Sequence, residues 1–249
     1  MRDRAERRAR GRFVLEGPRV VAGALDRGAP IEACYAAPGA EATCGALLDR
    51  LRACGVRVTR LGPGVLERVA DASTPQPLLA VAPLVTCELD ALSAGGPVVV
   101  AVAVSDPGNA GALVRSAEAS GASGVVFCDG SVDPHNPKAV RASAGAIFGV
   151  PVVEAGDPVE VLDALGEQGR RRLGTRARGG RPFDRVDLAG PCALVLGSEA
   201  HGLAPRVEAV LDDVVTIPMA PPAESLNVAV AASVLCFEAA RQRRARGGS

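Results

Sequence analysis

Tryptophan is absent from this chain, and one tyrosine and five phenylalanines are its whole aromatic supply. The interior must therefore be built from Val, Leu and Ala. With 48% hydrophobic residues there is enough apolar material for a sizeable core. The same scarcity limits base stacking, so any recognition of RNA would lean on Arg and backbone contacts. Net charge is lacking as well: 28 basic residues balance 28 acidic ones, and global charge does not announce nucleic acid. Lys138 is the only lysine, and His135 and His201 are the only histidines. None of the seven cysteines (Cys34, Cys44, Cys54, Cys87, Cys128, Cys192, Cys236) forms a CxxC pair. No metal-ligand spacing results, so no metal is expected. Reduced, partly buried thiols in a cytoplasmic protein are the simplest reading. No apolar run is long enough to span a bilayer, and the N-terminus lacks the apolar core of a signal peptide, so no membrane association is expected. A GxGxxG after the first strand and a P-loop signature are also missing.

What is present falls into two parts. Residues 13 to about 88 alternate short apolar runs with Gly and Pro turns. Strands are predicted at 13–17, 31–36, 56–59 and 78–82, and helices from Pro18 to Leu25 and from Thr43 to Ala53, which makes a small α/β unit. Cys87 to Pro97 reads as a linker. We therefore divide the chain into a first domain at 1–90, a linker at 91–97 and a second domain at 98–249. The second begins with the continuous apolar run Val98 to Val104, the mark of a strand covered on both faces. Further strands are expected at 124–128, 193–196 and 214–217. Helices are expected at 109–120, closed by Gly121, and at 137–148, 159–167 and 225–241. Alternation of this kind predicts a mainly parallel sheet with helices on both faces. Arginines gather at both ends: six lie between Met1 and Arg12, and Arg241, Arg243, Arg244 and Arg246 close the chain.

Three segments carry the chemistry: NAGALVRSA at 109–117, LGSEAHGL at 196–203 and IPMAPPAESLNVAV at 217–230. In this order and spacing they resemble the three signature motifs of the SpoU/TrmH family, RNA ribose methyltransferases of the SPOUT superfamily. The similarity continues through NPKAVRASAGA at 136–146 and covers roughly residues 98 to 242. FVLEG at 13–17, with its Arg-rich lead-in, is similar to the opening of the small substrate-binding domain that many of these enzymes carry, which favours ribosomal over transfer RNA. The resemblance implies a trefoil knot in the second domain, a feature otherwise nearly absent from proteins. It implies S-adenosyl-L-methionine as cofactor, held by Thr175, Leu196, Gly197, Glu199, Gly202, Ile217, Met219, Ser225, Leu226 and Asn227. It also implies a homodimer with the site assembled from both subunits.

Candidate catalytic residues are Arg115, Asn109, Glu199, Ser225 and Asn227. Arg115 matches the arginine the family implicates in activating the hydroxyl; the alternative is an i, i+3 pair with Glu118 on a helix face. Asn109 sits where a helix N-cap belongs, which is compatible with substrate contact. Glu199 follows a buried strand and either caps the next turn or holds an arginine of a partner subunit. Ser225 and Asn227 open the last helix; Asn227 lies one residue deeper than an ideal cap, which would leave its amide free. His201 is taken as a surface residue. Arg8, Arg12, Arg115 and Arg141 are the candidates for RNA contact, with a solvated helix face the alternative for Arg141. Leu226, Val230, Val234 and Phe237 form one apolar stripe, for core packing or for a dimer interface. Methyl transfer to a ribose 2′-hydroxyl of RNA is the leading function. The alternatives are the same reaction on transfer RNA and a catalytically silent RNA-binding assembly factor on the same scaffold.

Overall fold

The computed structural model describes residues 3–69 and 76–247. The chain opens with α1 (Arg4–Arg10), capped by the Asp3 carboxylate and stopped by Gly11 in the left-handed region. There follow β1 (Arg12–Glu16), α2 (Pro18–Asp26), β2 (Ala33–Ala36), α3 (Ala40–Ala53), β3 (Arg57–Arg60), α4 (Val65–Val69) and β4 (Leu78–Pro83). They form a four-stranded sheet in the order β1-β4-β2-β3, in which only β2 and β3 run parallel.

The second sheet begins with β5 (Val98–Ala101), α5 (Pro107–Ser120), β6 (Gly124–Phe127), α6 (Pro137–Ser143), β7 (Val152–Glu154), α7 (Pro158–Glu167) and β8 (Arg171–Thr175). It continues through β9 (Arg181–Pro182), β10 (Cys192–Leu196), α8 (Pro205–Glu208), β11 (Asp213–Thr216) and α9 (Val228–Gly247). The seven strands lie in the order β7-β6-β5-β10-β8-β11-β9, and every pair is parallel. β5, β6 and β10 are buried along their whole length, as continuous apolar runs require in a sheet covered on both faces. The chain builds β5, β6 and β7 in one direction and then crosses to the other side of β5. The carboxyl ends of β10, β8 and β11 thus lie beside a topological switch, where open α/β sheets form crevices.

Several elements differ from the sequence expectation. The apolar run Val98 to Val104 outlasts its strand, because Ala103 turns the chain at φ 55. Val102 and Val104 stay buried, so their apolar character reports burial and not extension. The helix expected over 137–148 stops at Ser143, where Ala144 and Gly145 both take positive φ and a short 3-10 turn follows. The break lets α2 come close: a Cβ on Gly23 would lie 2.4 Å from the Ala144 carbonyl oxygen. The last helix begins at Val228, not Ser225.

The two sheets share one continuous apolar cluster. Phe13 and Leu15 of β1 belong to it together with Val140 and Ile147. Arg141 reaches across the seam to Glu16 at 2.7 Å, and Arg27 pairs with Glu118. The segment between the sheets is also pinned, since buried Arg170 donates to the carbonyls of Gly96, Leu92 and Ser93. All seven cysteines are free thiols. Burial pushes Cys34 and Cys192 up to about 11 and Cys128 and Cys236 up to about 12, which makes them inert.

Candidate active site

Three strand ends make a cavity of about 350 Å3. β8 delivers Thr175, β10 delivers Leu196 and the turn beyond it, and the segment after β11 delivers Ile217 and Met219. The turn is tight because Ser198 and Gly202 exchange both backbone hydrogen bonds, at 3.1 and 2.9 Å. Gly197 is required here: a Cβ would sit 2.3 Å from the Gly202 backbone. The Thr175 hydroxyl donates to the Val195 carbonyl at 3.1 Å and locks β8 to β10 at the cavity floor. The approach to α9 closes the other side with Ser225, Leu226 and Asn227. All ten residues named for the cofactor thus line a single cavity.

A polar relay crosses its lip. The Asn227 Oδ1 accepts from the backbone N–H of Ala229 at 2.9 Å and of Val230 at 3.2 Å. Asn227 is therefore the N-cap of α9, which corrects the expectation that its amide stands one residue too deep. The cap fixes the amide's direction, so Nδ2 points away and donates to Asn109 Oδ1 at 2.8 Å. Asn109 is in turn forced to present its own N–H to Glu199 Oε1. Asn109 is not the cap of α5; Asp106 holds that place and accepts from the Asn109 backbone at 2.8 Å. Its side chain is consequently free to join Asn227 and Glu199. The second Glu199 oxygen remains an open acceptor on an exposed residue at the cavity wall.

Ser225 is exposed on the cavity wall and makes no hydrogen bond among the described residues. Arg115 lies outside the lining, is exposed, and makes no ion pair or hydrogen bond among the described residues. The alternative pairing with Glu118 is not formed; Arg27 holds both Glu118 oxygens instead. Arg176, absent from the sequence reading, does line the cavity and pairs with Glu208 at 2.7 Å. Only its adjacency to Thr175 could have pointed to it. The other RNA candidates are occupied: Arg8 by Glu154, Arg12 by Glu32 and Arg141 by Glu16. Arg19, Arg57, Lys138, Arg178, Arg185 and Arg244 join Arg115 as cations without a partner among the described residues. His201 is exposed.

The stripe Leu226, Val230, Val234 and Phe237 does not pack into the core. Leu226 is 38% exposed, and Val230 and Phe237 are each 48% exposed. The buried face of α9 is made of Ala229, Ala232, Leu235, Cys236 and Ala239.

Comparison with known proteins agrees with this fold. Residues 96–237 match the SpoU rRNA Methylase family, and residues 1–80 match the MRM3-like substrate binding domain. An uncharacterized tRNA/rRNA methyltransferase of Mycobacterium tuberculosis is 38% identical over 234 residues, covering 88% of this chain and 71% of its own length. The 23S rRNA (guanosine(2553)-2'-O)-methyltransferase RlmP of Bacillus subtilis is 33% identical over 185 residues, covering 74% of this chain and 72% of its own. The structure of the SpoU methyltransferase AviRb from Streptomyces viridochromogenes in complex with AdoMet superposes with a TM-score of 0.84 at 30% identity, covering 97% of this chain and 94% of that one.

Proposed function

The chain belongs to the SpoU rRNA Methylase family, and from that premise we propose that it transfers a methyl group from S-adenosyl-L-methionine to a ribose 2′-hydroxyl of RNA, with ribosomal RNA as the substrate. One observation carries this reading: the ends of three adjacent parallel strands enclose a cavity whose lip holds the Asn227–Asn109–Glu199 relay. The cavity suits the cofactor. Its volume falls in the range of small-molecule sites, and such sites combine apolar walls with a few placed polar groups. Leu196, Ile217, Met219 and Leu226 offer the apolar wall, and the backbone at Gly197 allows close approach.

When bound, the cofactor supplies an electrophilic methyl group on a leaving group that needs no further activation. The chain's own residues must position the hydroxyl and take up its proton. Glu199 is suited to accept that hydrogen bond, because Asn109 occupies one of its oxygens and leaves the other available. A guanidinium is an acceptor-free cation with no proton to give up, so Arg115 serves by binding a phosphate beside the target nucleotide and stabilising developing negative charge. In-line displacement of this kind calls for no metal.

We further propose a homodimer. The exposed stripe of Leu226, Val230 and Phe237 borders the cavity through Leu226, and Arg115 is off the cavity wall with no partner among the described residues. A second copy seated on α9 would cover the stripe and could bring its own Arg115 to the lip. The trefoil threading belongs to the same proposal; insertion of β10 between β5 and β8 supports it. So does a cytoplasmic setting, which suits an enzyme acting on ribosomal RNA. No described helix is long and apolar enough to cross a membrane.

The test is to incubate the chain with ribosomal RNA and methyl-labelled cofactor and to analyse the nucleosides by mass spectrometry. One ribose-methylated nucleoside is expected. A methyl group appearing only on transfer RNA would move the substrate. Absence of any methyl transfer, with RNA still bound, would leave an assembly factor.

A further inference from the structure

The seam between the two sheets contains a buried ionic cluster outside the cavity. Its centre is His135, 1% exposed, in the loop between β6 and α6. His135 Nδ1 faces Glu154 Oε1 of β7 at 3.2 Å and Asp133 Oδ1 of its own loop at 3.6 Å. Nε2 faces the Val85 carbonyl at 3.3 Å, and the ring meets the edge of Phe13 of β1 at 4.9 Å. Both nitrogens therefore look only at acceptors, an arrangement that satisfies an imidazolium and leaves a neutral ring one proton short.

The carboxylates are shared with α1. Arg7, itself 3% exposed, binds Asp133, and Arg4 and Arg8 bind the second oxygen of Glu154 at 2.6 and 2.8 Å. Asp133, His135 and Glu154 lie close enough together to hold a metal ion. Three guanidinium groups already occupy the outer oxygens, however, and a further cation there would be repelled. The cluster is a fastening between elements of the two sheets.

It also lies on a mechanical path to the catalytic candidates. The His135 loop feeds directly into α6, whose Arg141 grips Glu16 of β1. α6 packs on α5 where Gly111 meets Ala139 and Ser143, and α5 carries Asn109 and Arg115. We propose that the Asp133–His135–Glu154 cluster, with His135 as its protonated centre, is the latch that fixes the substrate-binding unit in register with the methyl-transfer site. The proposal rests on the functional reading above in that the first unit is taken to hold RNA. These are positioning residues; none touches the reacting atoms.

Burial opposes the charged form of His135, but hydrogen bonding and charge from Asp133 and Glu154 outweigh it and raise its pKa above 6.5. The same contacts overcome burial at the carboxylates, holding Asp133 well below its ordinary range and Glu154 at about 2. The sign follows from linkage. A raised histidine pKa contributes stability that is complete below the unfolded value and is lost as pH rises through the folded value.

The test uses the full chain and His135→Gln. Between about pH 6 and about pH 9 the wild type should lose about 4 °C of melting temperature on this limb, and His135→Gln should lack it. With RNA as substrate, His135→Gln should raise KM about tenfold while kcat and cofactor affinity stay within about twofold, as expected for lost orientation and not lost chemistry. Should His135→Gln not fold, the double variant Arg4→Ala/Arg8→Ala removes only exposed cations. It should keep the alkaline limb and raise KM to a smaller extent. Parallel melting curves for wild type and His135→Gln, or a fall in kcat at unchanged KM, would overturn the latch. A wild type that shows the limb yet methylates no RNA would overturn the proposed function and support the latch.

Discussion

At the seam, Glu16 and Asp133 are buried and Glu154 nearly so, and each meets at least one guanidinium. At the strand-end cavity, Glu199 and Ser225 are exposed, Arg115 has no ion pair or hydrogen bond among the described residues, and the relay ends on an open carboxylate oxygen. Both regions are polar, yet in the first every carboxylate is held by a guanidinium, with Glu16 Oε1 left over among the described residues, whereas the second keeps its unused hydrogen-bonding capacity on exposed groups. Charges satisfied internally hold elements together; charges held in place but not satisfied are ready for something from outside. The contrast separates Arg141 from Arg115, which the sequence alone could group together as basic residues of neighbouring motifs.

The sharpest way to break this contrast is Arg115→Ala. Removing an electrostatic stabiliser of a transition state costs about a hundredfold to a thousandfold in turnover, and single-turnover methylation should fall by that much with little change in melting temperature or cofactor affinity. Activity near the wild-type rate would place Arg115 with the surface arginines. Arg141→Ala should do the opposite. It strands the Glu16 carboxylate, whose other oxygen has no partner among the described residues, at a cost of about 3 kcal/mol in chemical denaturation. Adding Glu16→Gln should recover most of that loss, and failure to do so would deny the pair its structural role. Asn227→Ala should show both faces at once. Loss of the α9 cap costs about 1 kcal/mol. Loss of Asn109's orientation should lower turnover by a larger factor than that stability change explains, which comparison of melting and kinetics would reveal. The smallest effect is expected for Arg12→Ala, an exposed pair whose removal should leave melting temperature nearly unchanged.

Legibility followed burial. β5, β6 and β10 are visible in the sequence because strands covered on both faces must be apolar throughout. β8 is not, because Arg171 and Arg172 open it and Leu173 is its one large apolar side chain; Arg172 is held by Asp212, a residue 40 positions away that no local pattern reveals. The stripe Leu226, Val230, Val234 and Phe237 runs from the approach to α9 along its outer face, so of the two expectations core packing is not met. The packed face is mostly Ala and Cys around a single leucine, Leu235, and its weak hydrophobicity is outvoted by the larger residues opposite. Helix starts were the other difficulty: Asp106 precedes Pro107 and claims the α5 cap, while the Pro-rich segment before Asn227 delays α9 until Val228. Apart from Thr175, the cavity residues named from the sequence came from the second and third motifs, since the walls come from strand ends far apart in the chain. The His135 cluster could not be foreseen at all, because its arginines lie more than a hundred positions from its carboxylates.

The most direct test of the account is a calorimetric titration of S-adenosyl-L-methionine into the intact chain and into Gly197→Val, whose side chain would collide with the Gly202 backbone at the cavity wall. Saturable one-site binding by the wild type, lost in a variant that still melts cooperatively, is the predicted result. Equal binding by both would contradict the claim that the strand-end cavity holds the cofactor.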